Sequence, residues 1–203
     1  MTAFSRIRII AAAAFGIAAS VACGRGTGDG WSKEETGLID AEDTVMRVLT
    51  IGDRQDSLVL RTGCREIGPD ELASDEYSRL AAKMVATVTS PEQDGVGIAG
   101  PQVGILRRVV AVMRFDKEGE PFEVYPNVRI TAVRGEKELG PEGCLSIPGR
   151  RGDVPRYQDI DVTYTSFRTM KDTTETVKGY TAVIFQHETD HLDGVLYIDY
   201  LKD

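Results

Sequence analysis

The fold of this chain is decided by the stretch QHETDHLDG, which occupies residues 186–194 near the C-terminal end. His187 and His191 are four residues apart, so both imidazoles lie on one face if the stretch is helical. That spacing lets two histidines hold one metal ion, with Glu188 beside them to move a proton. Residues 182–185 are all apolar, which indicates a buried helix rather than a solvated one. The stretch therefore predicts a metal site on a buried helix.

The composition of the chain restricts the third metal ligand. A His-Glu-x-x-His motif by itself suggests a metalloprotease, but the metzincin version requires a third histidine where this chain has Tyr197. The chain contains 2 histidines in all, so the third ligand must be a Cys, Asp or Glu. Cys144 lies among glycines and prolines in GPEGCLSIPG (140–149), which predicts a constrained loop able to present its sulfur. A lone cysteine there is more often inert, but the missing ligand reverses that preference.

Length and charge set the broad class. The 203 residues suit one globular domain, and 41% hydrophobic residues are enough to build a core. The formal net charge of -8 argues against a nucleic acid as partner. Cys23, Cys64 and Cys144 are far apart in the chain, which excludes a disulfide framework.

The first 22 residues have the three-part pattern of a secretory signal peptide. Arg6 and Arg8 form a basic start, residues 9–19 are an apolar run, and small residues precede Cys23. Residues 20–23 (SVAC) resemble a bacterial lipobox, which predicts an exported cell-envelope lipoprotein with a lipid anchor at Cys23. Ordinary signal cleavage and a buried N-terminal helix are the alternatives.

Residues 23–45 are predicted to be a flexible tether, because they are rich in Gly, Asp, Glu and Thr and show no apolar period. The catalytic domain is then expected over residues 46–203. Met46 could also be a translation start, which would make the protein cytoplasmic.

The body of the chain predicts an α+β fold, with antiparallel strands packed around the buried C-terminal helix. A helix is expected from Ser74 or Asp75 to about Thr89, and the metal-binding helix from Thr181. The segment 95–104 is rich in glycine but lacks a phosphate-binding pattern, so it is either a plain turn or a functional loop. Strands are predicted at residues 46–51, 109–113, 122–133 (one or two), 159–166 and 173–179.

Three stretches resemble the signature segments of bacterial peptide deformylases. They are GVGIAGPQ (95–102), EGCLS (142–146) and QHETDH (186–191), and they occur in the order found in that family. The resemblance extends from about residue 46 to residue 201. It implies metal-dependent hydrolysis of the N-formyl group from formyl-methionyl peptides, with release of formate.

The resemblance also implies a ligand set. Cys144, His187 and His191 would bind one divalent metal ion, Fe(II) by preference, with Zn or Ni able to replace it. A thiolate with two imidazoles suits any of these metals. Glu142 and Arg156 match a charge pair that braces the site in the family.

Further roles carry over in the same way. Glu188 would act as general base and then as general acid, and Gln102 and the Leu145 backbone N–H would stabilise the oxyanion. The Gly97 backbone would hold the substrate peptide. Alanine is commoner in the family where Gly100 stands, so a looser loop is expected there.

Two features depart from an ordinary deformylase. The chain ends at residue 203 without the long C-terminal helix of many family members, and an exported enzyme would not meet nascent chains in the cytosol. Formylated peptides released outside the cell are the alternative substrate. A retired deformylase that binds metal and peptide without turnover, and an endopeptidase, remain as alternatives.

Overall fold

The structure, a computed structural model, describes residues 30–201. In chain order the elements are α1 (Lys33–Asp40), α2 (Arg54–Leu60), α3 (Pro69–Leu72), α4 (Asp75–Val88), β1 (Gly97–Ala99), a 3-10 helix (Gly100–Val103), β2 (Val109–Met113), β3 (Phe122–Pro126), β4 (Arg129–Cys144), β5 (Ile147–Ser166), β6 (Lys171–Lys178), α5 (Gly179–Leu192) and a second 3-10 helix (Tyr197–Tyr200).

Two antiparallel three-stranded sheets enclose α5. Their strand orders are β1-β2-β3 and β4-β5-β6, and α5 packs against β1, β2 and β5. Strand β2 is buried on both faces: Val109 and Ala111 join the core beneath α4, whereas Val110 and Val112 join the core beneath α5. The prediction of antiparallel strands around a buried C-terminal helix is confirmed.

Helix α5 is fixed to β5 by the glutamine of its motif. The Gln186 side-chain amide donates to the Tyr157 carbonyl oxygen at 2.7 Å and accepts from the Tyr157 N–H at 3.0 Å. Phe185, immediately before Gln186, is fully buried, and His191, five residues after Gln186, is 1% exposed. These two hydrogen bonds fix the rotation of α5 about its own axis, and so determine which side chains of the motif face the core.

Helix α4 follows its sequence pattern closely. It runs over Asp75–Val88, and the Ser74 side chain caps it by accepting from the Tyr77 N–H at 3.3 Å. Leu80 and Met84 on its apolar face are fully buried. The predicted start, end and core face of this helix are confirmed.

Other predicted boundaries are wrong. The predicted strand at residues 46–51 is absent, and the Leu49 N–H of this segment donates to the Gln102 carbonyl oxygen at 2.8 Å. Cys144 is not on a loop, because it is the last residue of β4 and only a two-residue turn separates it from β5. Helix α5 begins at Gly179, which has a φ of +60°, two residues before the predicted start.

The predicted tether is wrong for its described part, because residues 30–45 fold onto the domain. Ser32 and Glu35 form a capping box at the start of α1, and Ile39 is fully buried in the core beneath α4. The Trp31 indole N–H donates to the Ser74 hydroxyl at 3.0 Å. Polar composition concealed a helix whose stability comes from these distant contacts.

A buried ion pair holds α1 in place. The Arg107 guanidinium is fully buried, and it donates to both Glu35 carboxylate oxygens at 2.6 Å and to Glu71 at 2.5 Å. Burial opposes ionisation of Glu35, but hydrogen bonds from Arg107 and the Ser32 N–H leave its pKa below the usual value. Arg107 also lies 4.7 Å from the centre of the Trp31 ring, a cation–π contact.

The proposed signal peptide (residues 1–22) and Cys23 lie outside the described residues. Within residues 30–201, no helix is both long enough and apolar enough to cross a bilayer.

We expect Glu35→Ala to lower the free energy of unfolding by about 3–5 kcal/mol, because it leaves part of a buried guanidinium charge uncompensated. Glu34→Ala, an exposed site on the same helix, is the matched control and should change stability little. Because the Glu35 pKa is lowered in the folded state, the difference should be full above pH 4.5 and shrink as the pH falls through the folded-state pKa. Urea unfolding of both variants at several pH values measures this, and equal stabilities at pH 7 would contradict it.

Candidate metal centre and active-site cleft

Three side chains from two elements converge on one point. Cys144 comes from the end of β4, and His187 and His191 come from one face of α5. One ligand atom from each residue lies within 4.8 Å of the other two, and Cys144 Sγ is 3.2 Å from His191 Nε2. A sulfur and two imidazole nitrogens at these separations fit one Fe(II), Zn or Ni ion. The structure thus brings together the three predicted ligands.

Glu142 fixes the orientation of His187. Its Oε2 lies 2.8 Å from His187 Nδ1, so Nδ1 carries the proton and Nε2 is left for the metal. The same carboxylate accepts from Arg156 Nε at 2.7 Å and from Arg156 Nη2 at 3.2 Å. Burial opposes ionisation of Glu142, but these partners lower its pKa, so it is a carboxylate at neutral pH. The Glu142–Arg156 charge pair inferred from the resemblance is therefore present, and Glu142 also contacts the metal ligand His187.

Glu188 has no hydrogen-bond partner on Oε2 among the described residues, although it is 4% exposed. Burial raises the pKa of this carboxyl to about 7. Gly97 makes room for it: a Cβ at position 97 would lie 2.4 Å from Glu188 Oε1 and 2.8 Å from Ile184 Cγ2. A buried carboxyl without a partner is available for a water or a substrate atom.

The side chain of Gln102 is held in one orientation. Its Oε1 accepts from the Ala99 N–H at 2.8 Å, which turns Nε2 toward the metal ligands. Nε2 is 3.2 Å from Ser146 Oγ and 3.6 Å from Cys144 Sγ. The amide is 1% exposed, so it presents donors to the site without competition from bulk water.

The expectation of a loose loop at Gly100 is wrong. A Cβ there would lie 2.7 Å from the carbonyl oxygens of both Ile105 and Arg107. The Gly100 carbonyl also accepts from the Ile105 N–H at 2.9 Å. The backbone of residues 105–107 packs directly against Gly100, and this close contact supports the 3-10 helix that carries Gln102.

The site opens into a cleft of about 670 Å³. Residues 93–97, the β4–β5 hairpin and α5 line this cleft. Leu145 and Tyr180 also line it, with Leu145 directly after the ligand Cys144. A cleft of this size takes a small organic ligand or a short peptide.

Sequence reasoning missed two residues of the site. Asp190 accepts from Arg156 Nη1 at 2.6 Å, which ties α5 to β5 a second time. Tyr197 stacks on His187 with ring centres 6.0 Å apart, and its hydroxyl donates to the Arg150 carbonyl oxygen at 2.8 Å. Asp190 could have been found from its position three residues after His187, on the same helix face. Tyr197 was noted only as the residue at the position of a third histidine, and nothing in the sequence indicated that it stacks on His187.

Comparisons with known proteins agree with this geometry. A family model for polypeptide deformylase matches residues 45–203. A peptide deformylase of Leptospira biflexa is 33% identical over 165 residues, which cover 78% of this chain and 88% of that protein.

Solved structures are similar as well. The actinonin-bound class I type b peptide deformylase of Acinetobacter baumannii is 34% identical, with a TM-score of 0.68, and the match covers 79% of this chain and 100% of that one. A Met-Ala-Ser-bound structure of the same enzyme gives 34% identity and a TM-score of 0.68, covering 77% and 98% of the two chains.

Replacing Cys144 by Ala should sharply lower the metal content of the purified protein, since it removes a thiolate ligand. Cys64→Ala is the matched control. Burial raises the pKa of Cys64 to about 12, so this thiol stays protonated, and the residue lies outside the ligand cluster. Elemental analysis by mass spectrometry should give about one metal per chain for Cys64→Ala. Equal metal retention in the two variants would refute the assignment of Cys144.

Proposed function

This chain belongs to the peptide deformylase family and is a metal-dependent enzyme of that family, and on this premise we propose how its residues work. Cys144, His187 and His191 hold one divalent ion, Fe(II) in the native protein, with Zn or Ni able to take its place. The substrate is a peptide with an N-formyl-methionyl end, and the products are formate and a free amino terminus.

A metal ion held by these three residues would supply Lewis acidity for a formyl carbonyl and would lower the pKa of water at neutral pH. Glu188 takes the proton from the attacking water and passes it to the leaving amine. Gln102 Nε2 and the Leu145 N–H donate to the oxygen on which negative charge develops. Gly97 is the first residue of β1, which is an outer strand of its sheet, and its backbone pairs with the backbone of the substrate peptide.

One observation carries this proposal: the buried, unpartnered carboxyl of Glu188 lies in the cleft beside the three ligands. A general base needs a free oxygen within reach of a proton, and Glu188 Oε2 has no competing donor among the described residues. Gln102 is oriented by Ala99 rather than by the ligands, as a preorganised oxyanion donor requires. A retired binding protein would have no need of these two positioned groups, so turnover is favoured.

The test uses the chain from residue 30 onward, so that α1 is kept, loaded anaerobically with Fe(II). Formyl-Met-Ala-Ser should release formate, whereas the acetylated and unmodified peptides should not react. Tight binding without formate would favour the retired protein, and cleavage at internal peptide bonds would favour an endopeptidase.

Glu188→Ala should keep about one metal per chain but lose roughly 10²–10⁴-fold in kcat/KM, the usual contribution of a positioned acid–base group. Metal content and formate release are measured on the same sample. Loss of the metal together with the activity would make Glu188 a ligand instead.

The proposal also places the enzyme outside the cytoplasmic membrane, cleaved before Cys23 and lipidated there. The ordered basic, apolar and small-residue pattern of residues 1–22 supports it. A start at Met46 is disfavoured, because it would remove Glu35 from the buried Arg107.

Intact mass spectrometry of protein from native membranes should show an acylated chain that begins at Cys23. Several acyl chains on one residue give stable anchoring, whereas one gives only marginal binding. Cys23→Ala should move the protein out of the membrane fraction. A native chain that begins at Met46 in the cytosolic fraction would refute export.

A further inference from the structure

Two arginines in the cleft have no partner of their own. Arg54, Arg150, Arg151 and Arg168 are the arginines among residues 30–201 whose guanidinium groups make neither a hydrogen bond nor an ion pair with other described residues. Of these, only Arg150 and Arg151 line the active-site cleft. Two cationic side chains without a partner among the described residues therefore stand at the cleft.

An irregularity in the β4–β5 hairpin places these arginines. Gly143 pairs with Arg151, but Cys144 pairs with Ile147, so residues 148–150 have no partner on β4. The bulge contains Gly149, whose φ of +75° suits glycine. Bulges beside active sites commonly redirect side chains, and this one brings Arg150 to the cleft immediately opposite the ligand-bearing end of β4.

Arg151 lies across Gly143. A Cβ built on Gly143 would be 3.6 Å from Arg151 Cγ and 3.8 Å from Arg151 Nε. Because Gly143 has no side chain, the aliphatic part of the Arg151 side chain packs against β4 at this position. Gly143 immediately precedes the ligand Cys144. Arg150 and Arg151 are both exposed residues, and a guanidinium group without a protein partner suits an anion brought by a ligand.

The substrate chemistry indicates which anion. A formylated peptide has lost the charge of its amino terminus, and its amide backbone is neutral. The one charge that every short substrate keeps, whatever its side chains, is the C-terminal carboxylate. In a long or nascent chain that carboxylate is far from the formyl group or absent. Planar guanidinium groups bind carboxylates through paired hydrogen bonds.

We propose that Arg150 and Arg151 bind the C-terminal carboxylate of short formyl peptides, so that this enzyme selects released formyl peptides over long chains. The inference rests on the proposed deformylase function and names its substrate class. The 670 Å³ cleft is within the range of sites that enclose a small ligand, so both ends of a short peptide can be held at once.

The test compares formyl-Met-Ala-Ser with its C-terminal amide, using the Fe(II)-loaded chain that includes α1. We expect kcat/KM to be about tenfold or more higher for the free acid, the usual gain from a charge-assisted hydrogen bond. A peptide lengthened by ten neutral residues should show no difference between acid and amide. Equal rates for the short acid and amide overturn this inference alone, whereas no formate from any peptide overturns the proposed function.

Variants locate the effect. In Arg150→Gln/Arg151→Gln the acid-to-amide ratio should fall to about one, whereas Arg168→Gln, which removes an unpaired arginine away from the cleft, should keep the wild-type ratio. If the double variant fails to fold, the wild-type enzyme is assayed at increasing salt concentration instead. The ratio of kcat/KM for the free acid to kcat/KM for the amide should then fall as ionic strength rises. A preference that survives both the double substitution and high salt overturns the assignment.

Discussion

The site depends on the carboxylate of Glu142, which joins the hairpin that carries Cys144 to the helix that carries the two histidines. Glu142 Oε1 accepts a hydrogen bond from Arg156 Nε. Glu142 Oε2 accepts hydrogen bonds from Arg156 Nη2 and His187 Nδ1. Arg156 is 4% exposed, so loss of this partner would leave a buried charge poorly compensated, at a cost of about 3–5 kcal/mol. The contact that stabilises the sheet–helix interface is therefore the same one that selects the metal-binding nitrogen of His187.

Substrate choice arises from the same hairpin. Cys144 ends one strand and the bulge at residues 148–150 begins the next, so the ligand and the free arginines are parts of one turn. An enzyme anchored at a membrane would meet short peptides that have left the ribosome. A cleft that binds a C-terminal carboxylate would suit such substrates. The packing of α1 onto Arg107 makes residues 30–45 part of the folded domain.

The sequence was most informative where chemistry requires fixed spacing. His187, Glu188 and His191 follow from helical periodicity, and the scarcity of histidine pointed to Cys144 as the third ligand. Long-range pairing was hidden: Glu35 reaches Arg107 across 72 positions, so a short polar helix looked like a tether. The ends of β4 and β5 could not be predicted either. The glycine- and proline-rich stretch 140–149 is typical of a loop, although most of its backbone belongs to a long hairpin.

X-ray absorption at the metal edge can identify the atoms that bind the metal ion, and it does so without an activity assay. In the Zn-loaded chain that includes α1, the account predicts one sulfur at about 2.3 Å and at least two imidazole nitrogens at about 2.0–2.1 Å. Glu142→Gln should disturb the imidazole contribution while the sulfur remains, since Cys144 is held by the strand and His187 by the carboxylate. A spectrum with only nitrogen and oxygen neighbours in the wild type would contradict the account.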